Sequence, residues 1–343
     1  MISPVPESGS APRRARSGIW RWTFALAVAG FLLYKALHGV DWTQVWHTVL
    51  EARWGYLAAA MLISTGSFIV RALRWRILLN AGTDTPLRLA TVFRANMAGY
   101  LGNNVLPARA GELLRSVLIS RRSSLSRAYV LTTALCERMM DAIALVLWGS
   151  IMLSWVRSKP AWMEDVARTM GLVAGGGAVF LMILPHTESL VNRLVEWLPA
   201  PNRMRDRIKR MIEQVLLGIR AFHHVSRFAG FAGLTAVIWL CDATGMIVSA
   251  RGLGVPMGYP AAVLLMTAMG LGSALPSTPG YVGIYQFAAV SVLAAFGIGR
   301  NQALAFSLVS QALGYVVITA LGVPGLYGSI GGRKLRSLED TSV

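Results

Sequence analysis

Three ionisable residues, Glu137, Arg138 and Asp141, stand inside an otherwise lipid-compatible run from Ala128 to Trp155. A charge at the centre of a bilayer costs about 2.5–3.5 kcal/mol on insertion scales, and charges kept there usually serve function. Glu137 follows Arg127 by ten residues, roughly 15 Å of helix. With Arg127 at the surface, Glu137 lies near the middle of a hydrocarbon layer about 30 Å thick. Glu137 and Asp141, four apart, share a helix face, and Arg138, three from Asp141, can pair with it. Glu137 then has no partner on its own helix, and Arg109 or Arg115 is the expected donor. The competing reading is an ion-pair network that only fixes packing. Buried pairs stabilise poorly relative to apolar contacts, which favours a functional role.

The second chemical stretch reads Gly102-Asn103-Asn104-Val105-Leu106-Pro107-Ala108-Arg109-Ala110-Gly111-Glu112-Leu113-Leu114-Arg115. Glycine, asparagine and proline here break an apolar segment, which a membrane tolerates only where protein or water satisfies the backbone. Asn103, Asn104 and the backbone before Pro107 offer amide groups to a polar headgroup at a half-helix end. Arg109 and Arg115 have the forked donors that suit a lipid phosphate, or they sit at the interface and set topology. The candidate substrate-binding set is therefore Asn103, Asn104, Arg109, Glu112, Arg115, Glu137, Arg138 and Asp141. Pro107 and Gly111 shape the turn. No catalytic residue, metal ligand or cofactor is expected.

These residues need a membrane frame. The 343 residues are 55% hydrophobic and only 14% charged, against about a quarter charged in soluble domains. The net charge of +17 comes from arginines in short connections between apolar runs, where they orient helices and meet anionic headgroups. Nucleic acid is not the expected partner. Cys136 and Cys241 lie in apolar runs without Cys or His at metal spacing, so neither a disulfide framework nor a zinc site is expected. The fold class is an all-α, multi-pass helical bundle with two re-entrant hairpins. Residues 1–18 form a disordered cytoplasmic tail, 19–327 a single transmembrane domain, and 328–343 a cytoplasmic tail. Within the domain, the halves run about 19–155 and 168–327. An uncleaved first span covers about 19–37, and the loop after it fits the outer side. Further spans cover about 56–70, 128–155, 170–184, 228–250 and 303–326. Arg71, Arg74 and Arg76 end the second span at the cytoplasmic surface. The segment 87–106, between that cluster and Arg115, Arg121, Arg122 and Arg127, dips in and returns. Residues 187–227, rich in arginine, read as amphipathic helices lying on anionic headgroups of the cytoplasmic leaflet. Asp242 is either a second intramembrane acid or a water-facing one. The two halves of 257–299 make no net crossing: either both are short arms, or both cross and cancel.

The two hairpins repeat a pattern. Leu106-Pro107-Ala108-Arg109-Ala110-Gly111 matches Leu275-Pro276-Ser277-Thr278-Pro279-Gly280 as Leu-Pro-x-x-x-Gly. Charge places one entry on each side of the membrane, as in transporters built from inverted repeats that meet near the midplane. Pro276, Pro279, Gly280, Gly283 and Gln286 shape the second hairpin.

The Asn-x-Leu-Pro-x-Arg-x-Gly-Glu-x-x-Arg run, the Glu-Arg-x-x-Asp of the next helix and the late Pro-x-x-Pro-Gly-x-x-Gly together resemble the flippase-like transmembrane region of lysylphosphatidylglycerol synthases, the multiple peptide resistance factors. The resemblance covers most of the chain. It implies a protein that moves a lipid between leaflets, here a stand-alone member without the soluble synthase domain. Where many relatives carry an acid after the late Pro-Gly motif, this chain has Gln286, which puts an aminoacyl-lipid substrate in question. The expected function is a flippase for a phospholipid, glycolipid or lipid-linked sugar in the bacterial cytoplasmic membrane, with both termini cytoplasmic, and not an enzyme. With no nucleotide-binding motif, its energy comes from a gradient, the membrane potential or downhill exchange. The rivals are a membrane-embedded lipid-modifying transferase and a non-transporting scaffold for lipid-synthesis enzymes, such as those of hopanoids or glycolipids.

Overall fold

Long apolar runs punctuated by glycine and proline give helices of two lengths. The computed structural model of the chain describes residues 27–106, 110–155, 224–272 and 279–339, with scattered positions between 165 and 179. All regular structure among them is helical. Expectations for the tail 1–18, for most of the fourth span and for the basic segment up to residue 223 lie outside the described residues. So do Pro107, Arg109 and Pro276.

Helix α1 spans Ala27–Leu37. The stretch expected as an outer loop instead forms a second helix, α2, Trp42–Leu50. Asp41 caps it: its carboxylate accepts from the backbone N–H groups of Thr43 at 2.9 Å and Gln44 at 3.3 Å, satisfying donors the first turn leaves open. Trp42, Trp46 and Leu50, four apart, form an exposed apolar stripe, and Trp54 extends it. Such a stripe suits the membrane–water interface.

Helix α3, Trp54–Asn80, runs 27 residues, about 40 Å. It was expected to end near residue 70. It carries Arg71, Arg74 and Arg76 inside the helix rather than at a cytoplasmic end. The apolar pattern resumes after Arg76 in Ile77, Leu78 and Leu79, so nothing stops the helix there. Helix α4 spans Leu89–Val105, α5 Gly111–Ser120 and α6 Arg127–Trp155. In the second half, α7 is Val225–Gly252, α8 Tyr259–Gly272, α9 Ile284–Ala294 and α10 Arg300–Glu339. α10 continues well past residue 327, so most of the expected C-terminal tail is helical.

α3 and α7 lie antiparallel. The Arg53 amide donates to the Gly252 carbonyl at 2.8 Å, Ser67 meets Asp242, and Arg74 meets Thr235. α4 and α10 form a second antiparallel pair, with Gly322 against Leu101 and Gly325 against Arg94. Among the described residues three helices, α3, α7 and α10, are long and apolar enough to cross a membrane.

The two hairpins are built from shorter pieces. α4 and α5 have 17 and 10 residues, and α8 and α9 have 14 and 11. At about 1.5 Å per residue each falls short of a 30 Å core. α4 and α5 fold back with their backbones in contact: a Cβ on Gly111 would stand 1.9 Å from the Gly99 carbonyl oxygen. No other residue fits there.

The apolar core forms two clusters, and the second also draws on Val45, Leu57 and Leu145 of the first half. Trp75, Leu79, Val92, Ile119 and Val130 fill one cluster between α3, α4, α5 and α6. Leu265, Ala262, Ala289, Leu293 and Phe306 fill another around α8, α9 and α10, joined by α7 residues. The space between the two is where the polar groups gather.

Candidate functional site

Arg74 organises the charged residues. Its side chain is fully buried, and its guanidinium grips Asp141 through both oxygens, at 2.5 and 2.9 Å. It also donates to Glu137 Oε1 at 2.9 Å and to the Thr235 hydroxyl at 3.0 Å. The Phe231 ring lies 4.9 Å from it. This fork geometry is what arginine offers and lysine does not. The other Glu137 oxygen lies 3.0 Å from Arg115 Nη1. Of the two donors expected for Glu137, Arg115 is in place and Arg109 lies outside the described residues. Arg74, expected at the membrane surface, is the second.

Arg115 is buried as well. It donates to Asn96 Oδ1 at 2.8 Å, reaches Glu112 Oε2 at 2.6 Å and stacks 4.4 Å over Trp75. Arg138 reaches Glu112 Oε1 at 2.8 Å and Asp141 Oδ2 at 3.9 Å. A separate pair joins Arg71 to Asp242, whose other oxygen accepts from the Ser67 hydroxyl at 2.6 Å. Asp242 is thus an acid of the interior. Among the described residues the cluster holds four guanidinium groups, Arg71, Arg74, Arg115 and Arg138, and four carboxylates, Glu112, Glu137, Asp141 and Asp242. Equal numbers matter because an unpaired charge in this setting costs several kcal/mol.

Beside the cluster opens a cavity of about 680 Å³ between the two halves. Its polar wall includes Asn103, Asn104, Glu112, Arg138 and Asp141, five of the eight predicted substrate residues, and adds Arg71, Tyr100, Trp239 and Asp242. The rest is mostly apolar, with Met61, Met246, Met266, Leu145, Leu313 and Ile318. Glu137 and Arg115 do not line it. They sit behind the wall, where they hold Arg74 and Glu112, so neither meets a ligand directly in this arrangement.

The second hairpin approaches the cavity through Tyr281, Ile284 and Tyr285. Its turn, Pro279–Tyr281, is fixed by side chains from α9 and α10. The Gly280 carbonyl accepts from Gln311 at 2.7 Å and from the Tyr315 hydroxyl at 2.8 Å. Gln286 reaches back to the Gly283 amide at 2.8 Å and donates to Gln311 at 2.6 Å. Gly280 adopts φ +70° and Gly283 +91°, where a side chain is strained. Gly280, Gly283 and Gln286 are thus brought together as the residues that form this turn. Tyr281, also at positive φ (62°), is a rare conformation for a bulky residue.

Sequence reasoning missed Arg71, Arg74, Tyr100 and Trp239. The signal for the arginines was the apolar run on both sides of them. Tyr100 and Trp239 carry no local signal, because one apolar helix position looks like another until the cavity is known.

The family model described as "Lysylphosphatidylglycerol synthase TM region" matches residues 22–322. A "UPF0104 membrane protein" of Methanothermobacter thermautotrophicus is 24% identical over 324 residues, covering 87% of this chain and 90% of its own. A second protein of that description and organism is 23% identical over 290 residues, covering 78% and 82%. "Glycosyltransferase AglD" of Haloferax volcanii is 24% identical over 337 residues, covering 89% of this chain but 52% of the relative. These relatives are archaeal.

Proposed function

This chain belongs to the lysylphosphatidylglycerol synthase transmembrane-region family, and from that premise we propose that it carries a membrane lipid between the leaflets of the cell membrane. The observation that carries the reading is the cavity of about 680 Å³, walled on one side by charged and amide groups and on the other by apolar side chains, inside an apolar bundle. Its volume falls in the range of small-ligand sites, about 300–1,000 Å³. A headgroup would occupy the polar side while its tails stay in lipid. The α4–α5 and α8–α9 hairpins enter from opposite sides as re-entrant arms and alternate access. Asn103, Asn104, Glu112, Arg138 and Asp141 face the headgroup. Glu137 and Arg115 position the groups in front of them. Both termini are cytoplasmic.

The charged wall also supports movement rather than static packing. Arg138 is shared unequally between Glu112 on α5 and Asp141 on its own helix, at 2.8 and 3.9 Å. If the first hairpin shifts, Arg138 exchanges one carboxylate for the other without being left unpaired. Two arrangements of similar charge balance are what an alternating site needs.

The test is reconstitution into liposomes carrying traces of fluorescent phospholipid and glycolipid, with a membrane-impermeant quencher outside. Wild-type protein should expose the inner-leaflet pool of at least one probe within minutes, and Arg138→Met should slow it at least tenfold. Wild-type rates equal to those of protein-free liposomes for every probe would refute the proposal.

A further inference from the structure

The polar groups at the cavity differ in what they still need. The charged groups have one another: Arg71 holds Asp242, and Arg138 holds Glu112. Nearby hydroxyls are also paired. Ser249 and Ser310 lie 3.0 Å apart, and Thr267 donates to backbone carbonyls. The Tyr100 hydroxyl, Asn104 Nδ2 and Trp239 Nε1 are shielded from solvent and have no hydrogen-bond partner among the described residues. All three side chains line the cavity. Tyr100 and Asn104 are four apart on α4 and share a face; Trp239 comes from α7. A further unpartnered atom, Asn103 Oδ1, is turned toward Gly111.

Buried polar atoms are normally paired, and three unpaired ones on a single cavity point to a ligand that completes them. These groups chiefly donate: an amide NH2, an indole N–H and a phenol. An ammonium headgroup, which only donates, leaves the first two unmet. A phosphate would accept from them. It would also bring negative charge to a wall that already shows Glu112, Asp141 and Asp242 against only Arg71 and Arg138. Both of those arginines are engaged. The side chains of Glu112 and Asp242 keep 21% and 24% of their surface exposed, so they have lone pairs to offer a donor. A hydroxyl group accepts from the N–H groups and donates to the carboxylates at no cost in charge.

We infer that the headgroup of this cavity is an uncharged polyhydroxy group, the sugar of a glycosylated lipid, held by Tyr100, Asn104 and Trp239 with Glu112 and Asp242 as acceptors. The inference rests on the transport reading and narrows it to one class of substrate.

Native mass spectrometry of the purified full chain, in a detergent without a sugar headgroup, tests it. The probes are a monoglucosyl diacylglycerol, a phosphatidylglycerol with the same tails, and free glucose. Trp239→Phe and Tyr100→Phe remove only the N–H and the O–H, and their melting temperatures check that folding is kept. Wild type should retain the glucosyl lipid at least tenfold over phosphatidylglycerol. Each variant should weaken the glucosyl lipid by about two- to tenfold, the worth of one hydrogen bond, and leave phosphatidylglycerol unchanged. Equal or greater retention of phosphatidylglycerol would overturn the sugar assignment while leaving lipid transport standing. Free glucose competing as well as the glucosyl lipid would overturn the lipid-borne source. No lipid retained above detergent background by any variant would overturn both readings.

Discussion

Replacing Arg74 tests the charge cluster most directly. Arg74→Met keeps much of the side chain's length but removes the bonds to Asp141 at 2.5 and 2.9 Å, to Glu137 at 2.9 Å and to Thr235 at 3.0 Å. Glu137 keeps Arg115, while Asp141 is left with Arg138 at 3.9 Å. The cluster then holds one carboxylate more than it has guanidinium groups. Removing one partner of a buried pair costs about 3–5 kcal/mol. In a chain of this size that lowers the thermal midpoint by about 5–10 °C. Arg74→Lys keeps the charge but cannot span two carboxylates, so it should fall between wild type and Met. The decisive variant is Arg74→Met with Asp141→Asn, which restores the balance of charge and should recover at least half of the loss. Thermal unfolding followed by intrinsic fluorescence in one detergent measures five proteins: wild type, Arg74→Met, Arg74→Lys, Asp141→Asn and the double variant. A single variant within about 2 °C of wild type, or a double variant at the sum of the two singles, would refute the view that Arg74 and Asp141 are energetically one unit.

Other substitutions separate packing from movement. Gly111→Ala drives a Cβ to 1.9 Å from the Gly99 carbonyl oxygen; it should cost about 3 kcal/mol or more and lower the yield of monodisperse protein in size-exclusion chromatography. Arg138→Met leaves Glu112 with Arg115 at 2.6 Å and Asp141 with Arg74 at 2.5 Å, so the thermal midpoint should fall by less than in Arg74→Met while the liposome assay falls at least tenfold. Gln286→Glu keeps the acceptor for the Gly283 amide but loses the donor to Gln311. It should destabilise by about 1–3 kcal/mol, read as a lower melting temperature, and Gln311→Glu should not rescue it.

The sequence disclosed what depends on local composition. Apolar runs and scattered arginines specified an all-helical membrane protein, and the two Leu-Pro-x-x-x-Gly segments marked where helices are short. Glu137, Arg138 and Asp141 announced themselves because charge is costly at that depth. α2 was lost because nine residues with four polar positions read as a loop; the cap at Asp41 and the four-residue spacing of Trp42, Trp46 and Leu50 were its only signals.

Arg71 and Arg74 show the limit more sharply. An arginine near the end of an apolar run looks the same whether it snorkels to the surface or turns inward to a carboxylate. The choice depends on whether a carboxylate waits on another helix. Here Asp242 lies 171 positions from Arg71 and Asp141 lies 67 from Arg74, separations at which one sequence carries no pairwise signal. What does constrain the choice is the total. Glu112, Glu137, Asp141 and Asp242 all fall in helical segments of the interior, and each needs a cation there. Beyond Arg115 and Arg138, the described helices offer Arg71, Arg74, Arg76 and Arg94 as arginines set between apolar residues on both sides. Counting buried acids before assigning arginines to the surface narrows the inward-turning cations to these four, three of them on α3, and only the packing of α3 against α6 and α7 selects Arg71 and Arg74.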